Sequence, residues 1–134
     1  MKIKTADMKR TIDVGESEIW YSVYSTSEKR VYQANNKVPL ALSFFKTGRC
    51  ETKDALETAR QFNLLRDEFS KYPPEKAVYD MKYPEKRAPW ANNISPVVTS
   101  CANLYTTTDG KDLLFEVVSI LTYAYYAKTA VFVE

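Results

Sequence analysis

Asp109 and Asp112 are the two carboxylates whose spacing invites a chemical reading, because they stand one helical turn apart at the head of an apolar run. A pair of that kind can share acid–base work or hold a metal ion. It can equally cap a helix and favour the positive end of its dipole, which requires no reaction. The rest of the chain gives such chemistry little support. There is no histidine, so a Ser–His or Cys–His nucleophile in its usual form is excluded. Cys50 and Cys101 lie far apart, without a CxxC motif, and two thiols are too few for a zinc site or a disulfide framework. They read as reduced thiols. With only 3 Gly and no nucleotide fingerprint, no phosphate-cradling loop or cofactor is expected.

A second grouping is Tyr72, Tyr79 and Tyr83, interleaved with Lys71, Lys76, Lys82, Lys86 and Arg87. Aromatic rings alternating with cations can stack bases and hold phosphates, so a small nucleic-acid-binding or regulatory module is one reading. Glu75, Asp80 and Glu85 sit among them and cancel much of that field. Next to this grouping, the stretch Arg87–Pro96 has the residues of a loop-borne site, yet it contains no acid, base or nucleophile. Pro89 and Pro96 stiffen its ends, Asn92 and Asn93 suit a turn, and Trp90 offers a large apolar plug. A structural brace is the expected role.

The elements that must position these groups can be read in part. Ala55, Ala59, Phe62, Leu65 and Phe69 form one stripe of a helix that begins at Glu51 or Thr52. Pro73 and Pro74 stop it by Tyr72. A second helix follows Thr107–Asp112, with Thr108 or Asp109 as cap and Asp112 in the first turn. Its apolar face comprises Leu113, Leu114, Val117, Val118, Leu121, Ala124 and Tyr125. Short strands are expected near Ile3, at Ala77–Met81, at Asn103–Thr106 and at Thr129–Val133. Ile19–Tyr24 reads as strand by propensity with helix as the alternative, and Val38–Phe45 is too short to assign. The pattern implies an α+β fold, a small mixed sheet against two main helices in a single domain.

Composition agrees with a globular chain of 134 residues, 45% hydrophobic and 27% charged. The net charge of +2 is too small to argue for nucleic acid, but it is unevenly spread. Beyond Ala88 only Lys111 and Lys128 stand against Asp109, Asp112, Glu116 and Glu134. Ten Tyr favour a binding protein, since Tyr serves interfaces well. The charged N-terminus lacks the apolar core of a signal peptide, and no run approaches the ~18 apolar residues of a membrane span. A soluble, cytoplasmic protein is expected.

Three segments together resemble the immunity protein 70 family: Tyr72–Asp80, Ala88–Ser95 and Thr106–Leu113. The family pattern has Pro-Pro-Trp-Gly before the loop and Thr-Ser-Asp-Gly-Arg-Asp-Leu opening the last helix. Here Ala88 and Ala91 replace the first Pro and the Gly, and Thr107 replaces the Ser. Order and spacing agree over roughly 70–134, Val38-Pro39-Leu40 with Gly48 fits more loosely, and the N-terminal third departs. The resemblance implies a non-enzymatic protein that binds and neutralises a cognate toxin domain, encoded beside polymorphic or contact-dependent toxins of bacteria. A nuclease is one toxin whose basic surface acidic residues would complement. The expected contacts are then Asp80, Glu85, Asp109, Asp112 and Glu116, together with the exposed-looking aromatics Trp20, Tyr21, Tyr24, Tyr79 and Tyr83. Pro89, Trp90 and Gly110 are assigned structural roles.

Overall fold

The computed structural model describes residues 1–134. The chain opens with β1 (Lys2–Thr5) and β2 (Thr11–Asp13), followed by α1 (Ser17–Arg30) and the single turn α2 (Ala34–Lys37). Then come α3 (Pro39–Thr47), β3 (Arg49–Cys50) and the long helix α4 (Thr52–Phe69). After an extended connection, α5 (Leu113–Ala127) leads into β4 (Val131–Val133). The sheet order is β2-β1-β4-β3. Both ends of the chain meet at its centre, where Ile3 pairs with Val133 and Lys4 with Phe132. Every pairing is antiparallel, so the α+β class stands while the sheet is not mixed. The physical reason is connectivity: no crossover returns a strand in the same direction beside its neighbour.

The helices stack in a layer over this sheet. α5 lies against β2 and β4, α4 packs along α5, and α1 and α3 pack on α4. The α4 stripe expected from spacing is buried, with Thr58 and Gln61 added to it. Gln61 explains how α3 can start inside the core. Pro39 occupies the first turn and needs no acceptor, and Gln61 Oε1 accepts from the Leu40 and Ala41 N–H groups at 2.7 and 3.1 Å. Gly48, at φ +71°, closes the same helix, and its N–H donates to Phe44 O. Those two end signals make the segment after Val38 a helix, Pro39–Thr47.

Ile19–Tyr24 is also helical, against its β propensity. α1 buries Trp20, Ser22, Val23, Ser25, Thr26 and Ser27, so its inward face is mostly hydroxyl and shows no apolar period. Trp20 fills the centre of an aromatic cluster with Phe44, Phe45 and Phe62, at centroid distances of 6.0, 4.6 and 6.2 Å. The strands expected at Ala77–Met81 and Asn103–Thr106 do not form. Pro74–Lys76 and Cys101–Asn103 are 3-10 turns, and only an isolated bridge joins Thr106 to Asp112. Val78 has the backbone pairing of a strand without the strand. Its N–H donates to Thr26 Oγ1 at 2.9 Å, and its carbonyl accepts from Ser22 Oγ at 2.9 Å. Side chains of α1 therefore satisfy what a neighbouring strand would have satisfied.

Candidate partner-binding surface

The expected contact residues fall into three neighbouring places. At α1, Tyr21 and Tyr24 are half-buried and pack edge to face at 6.1 Å. With Met1, Ser17, Glu18 and Phe45 they border an apolar cleft of about 400 Å³. Trp20, expected at the surface, is 6% exposed and belongs to the core. The indole N–H of Trp20 and the Tyr21 hydroxyl are buried without a hydrogen-bond partner.

The second place is the connection 72–100, and a buried pin holds it. The Tyr105 side chain is 2% exposed, and its hydroxyl lies 2.9 Å from Ser22 Oγ and 3.0 Å from Thr26 Oγ1. Burial pushes this phenol up to about 12. Trp90 stands edge-on to both Tyr105 and Tyr79, at 6.3 and 5.5 Å, so the segment's large plug rests on the pinned ring. Pro89, Tyr83 and Glu85 are exposed around it, and Asp80 is half-exposed, its Oδ1 accepting from the Lys82 N–H. Burial raises the Tyr79 phenol, assisted by the nearby carboxylates of Glu18, Glu16 and Asp80. The start of α1 therefore contributes acids beside Tyr79.

The third place is the turn 106–112. Thr107 and Lys111 pair across it, and Gly110 takes φ +82° where the chain reverses. Asp112 is the cap of α5, its Oδ1 accepting from Phe115 N–H at 3.2 Å, rather than a first-turn residue. Asp109 accepts a hydrogen bond from the Thr107 hydroxyl, and Lys111 lies at 3.6 Å. The Thr107 bond and then the Lys111 charge lower its pKa, so the carboxylate is ionised at neutral pH. Asp109 and Asp112 thus have separate local partners. This turn abuts the corner between β2 and α1, where Thr108 N–H donates to Asp13 O at 3.0 Å. Asp13, Asp109 and Glu116 border one shallow cleft of about 270 Å³, together with Lys2 and Lys111.

The corner thereby joins two acidic groups that are remote in sequence: Asp13, Asp109 and Glu116 on one side, and Glu16, Glu18 and Asp80 on the other. Asp13, Glu16 and Glu18 were not marked by sequence reasoning, because nothing local distinguishes them from solvated charges. Lys29 and Arg30 were missed as well. They face Lys86 and Arg87 across a groove of about 460 Å³ between the end of α1 and the loop. No sequence signal connects residues that the Val78 and Tyr105 contacts bring together.

Neither thiol is placed for chemistry. Cys50 and Cys101 are free and buried, and burial raises both, Cys101 to about 11. No three Cys, Asp or Glu side chains are grouped to hold a metal ion. No helix is long and apolar enough to cross a membrane. What the surface offers is shape, aromatic edges and segregated charge, which are the means of protein recognition.

Comparison with known families agrees with that description. The model of the family described as immunity protein 70 matches residues 2–133, including the N-terminal third that departs from the motif pattern. No curated protein and no solved structure matches the chain. Immunity proteins belong to toxin systems and generally act by binding rather than by catalysis.

Proposed function

The chain belongs to the immunity protein 70 family, and from that premise we propose that it binds one cognate toxin domain and neutralises it in the cytoplasm. The toxin would come from a contact-dependent or polymorphic toxin system of bacteria. The match over residues 2–133 is the observation that carries this reading. The acidic corner supports a face for it: Asp109 is held ionised, and Glu16, Glu18 and Asp80 collect around a half-buried Tyr79. A toxin that acts on nucleic acid presents a basic substrate-binding surface, and such a corner would cover it. The long-range attraction would also speed capture before the toxin meets its substrate. Tyr21, Tyr79 and Tyr83 supply the aromatic area from which a few anchors can draw most of the affinity.

The test is protection. The toxin domain encoded beside this chain is expressed alone and with it, and survival is scored. Protection together with a stable purified complex is expected. Continued killing, with the chain folded and in excess, would refute the reading. Charge reversal at Glu18, Asp109 and Glu116 should slow association most at low salt. An unchanged association rate would move the toxin contact away from this corner.

A further inference from the structure

The groove between the end of α1 and the 74–94 loop differs in sign from the acidic corner. Lys29, Arg30, Lys86 and Arg87 border it, and Glu75 is the single acid among its lining residues. The chain forms ion pairs elsewhere, at Lys4, Arg49, Arg60, Lys71 and Lys111, and none of the four groove cations takes part in one. Their local contacts leave the charge uncompensated. Arg30 Nε donates to Lys76 O at 2.8 Å, Arg87 donates to Asn92 Oδ1 at 3.0 Å, and Lys86 lies 5.6 Å from the Tyr79 ring centre. The groove therefore carries more positive charge than the +2 of the whole protein. Its lining is half hydrophobic, with Val78, Trp90 and Ile94 among the apolar members.

We propose that this groove receives an extended acidic segment of the partner protein, its carboxylates meeting the cation rim and an apolar side chain resting near Trp90. The choice of partner rests on the reading of the chain as a toxin-binding protein. A peptide is favoured over a nucleic acid by the state of the rings. Base stacking needs an open aromatic face. Lys86 lies over the Tyr79 ring, and Trp90 is held edge-on between Tyr79 and Tyr105 at interplanar angles of 82° and 83°. The two surfaces then work as one device. Acids at Glu16, Glu18 and Asp80 and cations at Lys86 and Arg87 all lie around Tyr79, so only a partner that matches both signs docks in register.

The experiment uses the isolated protein, so its outcome is independent of the protection assay. A short peptide alternating glutamate and leucine is titrated into the ¹⁵N-labelled chain at low salt, with the Trp90 indole signal identified by its loss in Trp90→Phe. A lysine–leucine peptide and a single-stranded oligonucleotide of equal net charge magnitude serve as comparators. The acidic peptide should shift the Trp90 signal saturably and leave that of Trp20 in place. Lys29→Glu with Arg87→Glu should weaken it roughly tenfold, whereas Lys53→Glu on α4 should not. Absence of a saturable shift, or equal binding by the double variant with an unchanged melting temperature, overturns the proposal. Tighter binding by the oligonucleotide overturns it in favour of a nucleic-acid groove. Protection without peptide binding rejects the groove alone, and peptide binding without protection rejects the toxin reading alone.

Discussion

Tyr105→Phe isolates the pin on which the connection 72–100 depends. The change removes one oxygen and keeps the ring against Trp90. One assignment of protons satisfies all three hydroxyls. Ser22 donates to Val78 O, Tyr105 donates to Ser22 Oγ, and Thr26 donates to Tyr105 while accepting from Val78 N–H. Without the phenol, Thr26 can turn its proton to Val78 O at 3.3 Å, but Ser22 Oγ loses its donor in a buried site. The loss is two hydrogen bonds, one partly recovered, and one stranded acceptor, or about 2 kcal/mol. For a domain of this size that lowers the melting temperature by roughly 5–8 °C. Thermal and urea melts followed by circular dichroism measure it, and amide exchange at Val78 reports whether the loop opens first. A double-mutant cycle with Thr26→Val should show coupling, because both changes act on one network. A melting temperature within about a degree of the parent, or strict additivity, would refute the pin.

Other expectations follow from the same contacts. Trp20→Ala removes the centre of the Phe44, Phe45 and Phe62 cluster and should cost about 3–5 kcal/mol in urea melts, so any lost toxin binding would track unfolding. Trp90→Ala, at a half-buried site, should cost less, about 2–3 kcal/mol by the same measurement. Gly110→Ala meets no atom within 4 Å of its added Cβ, so only the backbone at φ +82° resists, for about 1 kcal/mol. Stability should fall as pH rises above about 9. The Cys101 thiol ionises near 9.0 when unfolded but near 11 when folded, and Tyr105 near 10.0 against 12, so the unfolded chain loses protons first. Urea midpoints measured from pH 8 upward test this, and Tyr105→Phe should flatten the upper part of the decline.

How much of this was legible in the sequence depends on which groups satisfy each backbone. α4 and α5 could be read because their buried faces are apolar at helical spacing, and Pro73 marks one end plainly. β1 and β4 could be read from β-branched residues. α1 could be read only as the alternative to a strand, because its core face is written in Ser and Thr, which resemble a solvent-facing pattern until Val78 and Tyr105 arrive from far along the chain. The false strand at Ala77–Met81 is the same fact seen from the other side. Its residues have strand propensity, but the hydroxyls of α1 take the place of a partner strand. The site inherited both difficulties. Asp109 was visible in the acidic bias beyond Ala88 and Asp80 as an acid among the Tyr/Lys grouping, whereas Glu16, Glu18, Lys29 and Arg30 acquire meaning only once α1 is a helix laid against that connection. Tyr105 is therefore more than a core residue. Its hydroxyl bonds the Ser22 and Thr26 side chains that hold Val78 to α1, so the loop that carries Asp80, Lys86 and Arg87 is tied to the helix that carries Glu18, Lys29 and Arg30 through one buried network.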